Sequence, residues 1–282
     1  MLVLRDLSKR FGDRVAVDGL SLDVGPGEVV GLLGPNGAGK TTTIHMAVGL
    51  LAPDRGEVRI GDRGSPRRPE ARRLLGVAPQ ALALYDALTP AENLAFFGRV
   101  QGLSGPALSR RVDWALDFAA LSDRRRDRTG DLSGGMKRRL NLAAALVHDP
   151  EVVLLDEPTV GVDPQSRNAI LERVAALRAA GRAVVYTTHY MDEAARVCDR
   201  VAIVDHGTVL ASGTVAELVA AHGGEPTLVV VREGVERRLA TPDPAAALAR
   251  ILADGRVDDF RVERADLEAV FLSLTGRRLR DP

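Results

Sequence analysis

Gly34-Pro35-Asn36-Gly37-Ala38-Gly39-Lys40-Thr41-Thr42 reads G-x-x-x-x-G-K-T. A strand-like run, Glu28 to Leu33, precedes it, and a helix-like run, Thr41 to Leu50, follows. A phosphate-cradling loop needs that strand–loop–helix context. Glycines at 34, 37 and 39 allow backbone conformations closed to other residues and bring N–H groups close to phosphate oxygens. The helix after the loop adds unpaired N–H groups and its dipole. Lys40 is suited to the β- and γ-phosphates, and the Thr41 hydroxyl to Mg²⁺. The stretch predicts a nucleoside triphosphate site.

Composition sets the bounds. A chain of 282 residues can hold one large α/β domain and a smaller appendage. Basic and acidic residues are equal at 38 each, so no basic excess points to nucleic acid. The one cysteine, Cys198, excludes an intrachain disulfide and reads as a packed thiol within a helix. No apolar run approaches the ~20 residues that cross a bilayer, and the N-terminus lacks a secretory pattern. The expectation is a protein soluble when isolated, reaching a membrane only through a partner.

Outward from the loop, strands alternate with helices. Leu2 to Leu4 and Val15 to Val24 read as strands, with Phe11 between them. Two readings of Phe11 are open on spacing alone: a core hydrophobe, or a ring placed to stack on a base. Leu74 to Ala78 reads as a strand, and Pro79 turns the chain just before Gln80. From Pro90 to Asp131 the pattern is helical, with Leu94, Phe97 and Val100 on one face. Ser133 suits a helix N-cap, and Gly134-Gly135 leave the next N–H groups uncovered, the makings of a second anion site.

Val152 to Leu155 is an all-apolar strand ending in Asp156-Glu157, where folds of this class place ligands. Asp156 is suited to hold Mg²⁺, and Glu157 to orient or deprotonate an attacking water. Ala183 to Thr187 is another buried strand, leading to His189, which could reach the γ-phosphate and that water. His45, His148, His206 and His222 read as structural, and no histidine pair has zinc spacing. Past Gly223-Gly224, strand and helix patterns suggest a small α+β unit. The fold class is therefore α/β, with a parallel sheet around a phosphate loop.

GPNGAGKTT, Gln80, LSGGMKRRL (Leu132 to Leu140), VVLLDEP (Val152 to Pro158), Gly161-Val162-Asp163 and TTHYMDEA together resemble the ATP-binding cassette of an ABC transporter. The resemblance implies a P-loop NTPase with a RecA-like core, an antiparallel β subdomain and a helical insert at about 88–145. It covers residues 1–222 and leaves 223–282 as a C-terminal α+β domain. It implies nucleotide contacts from Phe11 and from Gly34, Pro35, Asn36, Gly37, Ala38, Gly39, Lys40, Thr41 and Thr42. Mg²⁺ would lie near Thr41, Gln80 and Asp156, with catalysis by Glu157, His189, Gln80 and Lys40. Leu132, Ser133, Gly134, Gly135 and Met136 would close over ATP held by a second copy, and Asp163 would lie at that dimer interface. Met136 stands where glutamine is commonest, and Phe11 where tyrosine is.

Ala78 to Leu103 and the ending LEAVFLSLTGRRLRD further resemble ATPase subunits of ABC-2 type exporters, of the daunorubicin-resistance branch. That implies an ATP-dependent homodimer on the cytoplasmic face of the cell membrane, bound to a separate integral-membrane permease. The permease would place a short helix against the region after Gln80. The other class weighed, a soluble ABC-type ATPase acting on nucleic acid or the ribosome, usually carries two cassettes or a basic arm, and neither is present. A cassette that binds ATP without turnover disagrees with intact Lys40, Asp156, Glu157 and His189.

Overall fold

The computed structural model describes residues 1–277, in two compact units, 1–212 and 213 onward. The first unit begins β1 (Leu2–Phe11), β2 (Arg14–Val24), β3 (Val29–Leu33), α1 (Lys40–Ala47), β4 (Arg55–Ile60), α2 (Pro69–Arg72) and β5 (Leu75–Ala78). It continues α3 (Pro90–Val100), α4 (Gly105–Phe118), α5 (Gly134–Leu146), β6 (Val152–Asp156) and α6 (Pro164–Ala179). It closes with β7 (Ala183–Thr188), α7 (Met191–Val197), β8 (Arg200–Asp205) and β9 (Thr208–Gly213).

The main sheet has the order β5-β6-β7-β3-β8-β9. Strands β5 to β8 pair in parallel, and every residue of β3, β6 and β7 is buried. Strands covered on both faces need continuous apolar sequence, and these have it up to Leu155 in β6 and Tyr186 in β7. β9 returns beside β8 through His206-Gly207, both at positive φ (48° and 81°), as a two-residue hairpin turn requires. A separate antiparallel sheet, β2-β1-β4, shares a core with one face of the main sheet, where Leu4, Leu20 and Ile60 join Leu32, Ile44 and Leu154.

Helices α3, α4 and α5 form the helical insert, packed around Leu94, Leu116, Leu132, Leu140 and Val147. Val100 is 67% exposed, unlike Leu94 on the same expected face, because α3 ends there and leaves it on the rim of a groove. Cys198 is the residue that ends α7, in extended conformation rather than within a helix. It packs on the core, and burial pushes its thiol far up.

The second unit holds α8 (Val215–His222), β10 (Thr227–Arg232), β11 (Val235–Ala240), α9 (Pro244–Ala253), β12 (Asp259–Glu263) and α10 (Leu267–Thr275). Its sheet, β11-β10-β12, is wholly antiparallel. Arg261 bridges Glu236 and Glu263 across it, and Arg238 contacts both of the same acids. The division at Ser212 falls ten residues before the boundary read from Gly223-Gly224. Helix α8 belongs with α10, and Leu218, Leu267, Val270 and Phe271 are buried in this unit. Among the described residues no helix is long and apolar enough to cross a membrane.

Candidate functional site at the carboxyl edge of the sheet

The chain leaves β3, the strand flanked by β7 and β8, straight into the phosphate loop. Gly39 caps α1 at φ 104°, and a Cβ there would lie 2.4 Å from the Ala16 carbonyl oxygen. A Cβ on Gly34 would lie 2.1 Å from the Val204 carbonyl oxygen. Both positions exclude a side chain, so the loop's backbone lies close against β2 and β8. Helix α1 starts at Lys40, one residue before the sequence expectation, and its first turn faces the cleft.

Lys40 is buried, and its Nζ donates to the carbonyl oxygens of Gly34 (2.7 Å) and Pro35 (3.0 Å). The same ammonium lies 3.0 Å from Glu157 Oε1, with both side chains about 5% exposed. Gln80 Nε2 donates to Glu157 Oε2 at 3.2 Å. His189 Nδ1 lies 3.5 Å from that oxygen, within ion-pair range but without hydrogen-bond alignment, so it is a buried nitrogen with no hydrogen-bond partner among the described residues. Three residues, one from the phosphate loop and two from beyond the ends of β5 and β7, thus meet at the one carboxylate that follows β6.

Local sequence explains how that carboxylate is aimed. Glu157 adopts φ 46°, a left-handed conformation a glutamate adopts only under constraint. Its N–H donates to Thr187 Oγ1 (2.9 Å), and that hydroxyl donates to Asp156 Oδ1 (2.7 Å). Asp156 is 3% exposed, and its other oxygen takes no donor from the described residues. The spare oxygen of this buried carboxylate, with the Thr41 hydroxyl and the Gln80 side chain that line the cleft, offers hard oxygen donors of the kind Mg²⁺ takes.

Lys40, Gln80 and Glu157 border a cleft of about 490 Å³ that also reaches Phe11, Asn36, Gly37, Thr41 and Thr42. Phe11, at the end of β1, is 51% exposed rather than a core hydrophobe. Arg14 and Ala16 line the cleft too, and the sequence reading missed both. Arg14 Nη2 donates to the Gly37 carbonyl at 3.4 Å, a contact made by the β1–β2 turn that no spacing rule announces. If Phe11 carries a stacked base, Phe11→Ala should weaken ATP binding by roughly tenfold, since such stacking is worth about 1–3 kcal/mol. Titration with ATP measures it, and unchanged affinity would remove Phe11 from the site.

Leu132 to Met136 and Asp163 do not line this cleft. Ser133 caps α5, accepting from the Met136 N–H at 3.3 Å, and Gly134 has open space around it. Gly135 lies so close to Ser166 that a Cβ would come within 2.0 Å of its Oγ. Asp163 caps α6, accepting from Ser166 N–H at 2.9 Å, and the Ser166 hydroxyl together with that N–H holds its carboxyl below the usual range. The two capped helix starts are therefore neighbours. Arg138 of α5 joins them to the cleft, with Nη1 donating to the Gln80 carbonyl (2.5 Å) and Nη2 to the Val160 carbonyl (3.0 Å).

Comparison with known proteins fits this geometry. A family profile described as ABC transporter matches residues 17–160. The Nod factor export ATP-binding protein I of Cupriavidus metallidurans is 42% identical over 301 residues, spanning 100% of this chain and 99% of that protein. The chain belongs to the ABC transporter family. The linearmycin resistance ATP-binding protein LnrL of Bacillus subtilis is 39% identical over the full length of both chains. A solved ATP-binding subunit of an ABC transporter superposes with TM-score 0.71 at 33% identity, covering 79% of this chain and 93% of that one. A dimeric post-hydrolysis cassette bound to ADP and Pi gives 0.69 at 27% identity, covering 76% and 98%. This ABC protein is an ATP-binding subunit with the P-loop NTPase fold and ATP hydrolase activity.

Proposed function

We propose that the chain hydrolyses Mg-ATP as a homodimer and drives export through a separate ABC-2 type permease on the cytoplasmic face of the membrane. The observation that carries this reading is the convergence of Lys40, Gln80 and His189 on the Glu157 carboxylate. Glu157 acts as the base that takes a proton from the attacking water, held in place by its Thr187 bond. His189, whose Nδ1 has no hydrogen-bond partner among the described residues, is placed to steady that water and the γ-phosphate. Lys40 and the amides of the phosphate loop bind the phosphates. Thr41, Asp156 and Gln80 would hold Mg²⁺, which supplies charge neutralisation on the phosphate oxygens.

Since Ser133 to Met136 and Asp163 lie off the cleft, a second copy would bring its own α5 start to the phosphates. Two helix starts from different chains then share the phosphate charge, and ATP favours the dimer by mass action. The dimeric relative bound to ADP and Pi supports this arrangement. The relatives named for Nod factor export and linearmycin resistance support export.

A groove of about 160 Å³ between β5 and the insert is the place for the permease's helix, with Pro79, Phe97, Val100, Ala144 and His148 on its walls. Tyr85, Phe96 and Phe97 form an aromatic cluster nearby, with ring centroids 5.0–6.3 Å apart. Asn141 pins the loop after Gln80 by accepting from Ala83 N–H (3.0 Å) and donating to the Pro79 carbonyl (3.3 Å). Val100→Asp puts a charge on the exposed rim without disturbing the core. The expected result is unchanged ATPase activity of the isolated chain and lost co-purification with the co-expressed membrane subunit. Full retention of the complex would place the permease elsewhere.

A further inference from the structure

Glu193 has no part in the chemistry described above, yet it is fully buried in the first turn of α7. An acid at the third position of a helix ordinarily reaches back to the N–H of the cap residue. Here Thr188 Oγ1 takes the N–H of the cap residue, Tyr190, at 2.9 Å, and Glu193 turns inward instead. Its Oε2 accepts from three hydroxyls: Tyr186 (2.8 Å), Thr159 (2.9 Å) and Thr188 (3.0 Å). Tyr186 is a committed donor, because burial and the nearby Glu193 charge push its phenol far up. Oε1 lies 3.3 Å from Arg167 Nε with no aligned hydrogen bond, so that contact is an ion pair only.

An incompletely satisfied buried carboxylate is costly, and its retention needs a reason beyond packing. The donors themselves suggest it. Thr188 precedes His189. Tyr190 follows it, its ring centroid 4.1 Å from that of His189 and the Arg167 guanidinium 4.4 Å from the Tyr190 ring. Thr159 lies between Glu157 and Asp163, in the segment leading to the α6 cap. One carboxylate thus grips both neighbours of His189, directly at Thr188 and through Arg167 at Tyr190. It also holds the segment that runs from Glu157 to Asp163.

We propose that Glu193 is a positioning residue for hydrolysis, setting His189 and the Glu157–Asp163 segment in one fixed relation. The proposal rests on the roles given above to Glu157 and His189. It implies that the acid acts on turnover and not on nucleotide binding, since none of its partners lines the phosphate cleft. A misplacement near 1 Å can cost about 100-fold in rate, so losses of roughly 10–100-fold are expected.

The test uses the full chain and compares Glu193→Gln, Thr159→Val and Thr159→Ser. Glu193→Gln keeps size and one acceptor but sets an amide against Arg167. It should lower kcat by roughly 10–100-fold while KM and ATP affinity stay within about twofold. Thr159→Val should lower kcat in the same way, and Thr159→Ser, which restores the hydroxyl, should recover it. Combined with His189→Ala, Glu193→Gln should add clearly less than its separate loss, because part of its effect passes through that histidine. Thermal unfolding of each variant guards against mere destabilisation. Unchanged kcat in Glu193→Gln, losses that multiply with His189→Ala, or a fall in ATP affinity matching the fall in kcat would each overturn the proposal. Near-normal activity of His189→Ala alone would instead overturn the role given to the histidine.

Discussion

Glu157→Gln is expected to cut ATP turnover by about 10²–10⁴-fold, the range a positioned base supplies, while ATP still binds. The substitution keeps the side chain's shape and its contact with Gln80 while removing the base. It also frees Lys40, whose ammonium lies 3.0 Å from the carboxylate, so affinity for ATP should rise rather than fall. With turnover blocked and binding intact, an ATP-dependent dimer should accumulate and be visible by size-exclusion chromatography with Mg-ATP. Turnover within tenfold of the parent would remove Glu157 as the base. Loss of ATP binding would show that the Lys40–Glu157 pair organises the loop rather than competing with phosphate.

Lys40→Ala should do two separable things. Removing the ammonium deletes a charge-assisted contact to phosphate, worth about 1.5–3 kcal/mol, so ATP affinity should fall at least tenfold. It also leaves the Glu157 carboxylate, 6% exposed, without its cation. Breaking a buried pair from one side costs about 3–5 kcal/mol, so the unfolding midpoint should drop by roughly 10 °C. The double variant Lys40→Ala with Glu157→Gln separates the effects. Stability should largely return, because no charge is stranded, while ATP affinity stays low. If the double variant melts as low as Lys40→Ala alone, the pair is not what stabilises the loop. ATP affinity of Lys40→Ala equal to the parent's would exclude the phosphate role.

Much of the fold was legible because burial on both faces forces a visible pattern. Val152 to Leu155 of β6 and Ala183 to Tyr186 of β7 are uninterrupted apolar runs, and Glu157, just beyond β6, lines the cleft. Local rules also read Ser133 correctly as a helix cap, since capping depends only on the next three residues. What could not be read depends on distance through space. Arg14 reaches the phosphate loop across a turn, and Arg138 spans two loops separated along the chain by α3, α4, α5 and β6. Glu193 sits in a stretch quoted for its histidine, yet of its three hydroxyl partners two come from β7 and one from the loop after β6, with no periodicity that ties them to it. The unit boundary moved for the same reason: α8 follows the first unit in sequence but finds its partner, α10, near the far end.

The phosphate loop is held by main chain on both sides. The Gly207 N–H donates to the Ala38 carbonyl (3.0 Å), and the Gly207 carbonyl accepts from the Asp18 N–H (2.9 Å). A Cβ on Gly207 would lie 2.8 Å from the Ala16 oxygen that also bars one on Gly39. The hairpin turn, the β2 edge and the loop therefore share a single layer of backbone with no room for a methyl group. Mutational drift here is coupled: neither glycine can change unless Ala16 moves, and moving Ala16 shifts the wall beside Phe11 and Arg14. A damaging change at residue 207, remote in sequence from every ATP motif, would present as a defect in nucleotide affinity rather than as a folding defect.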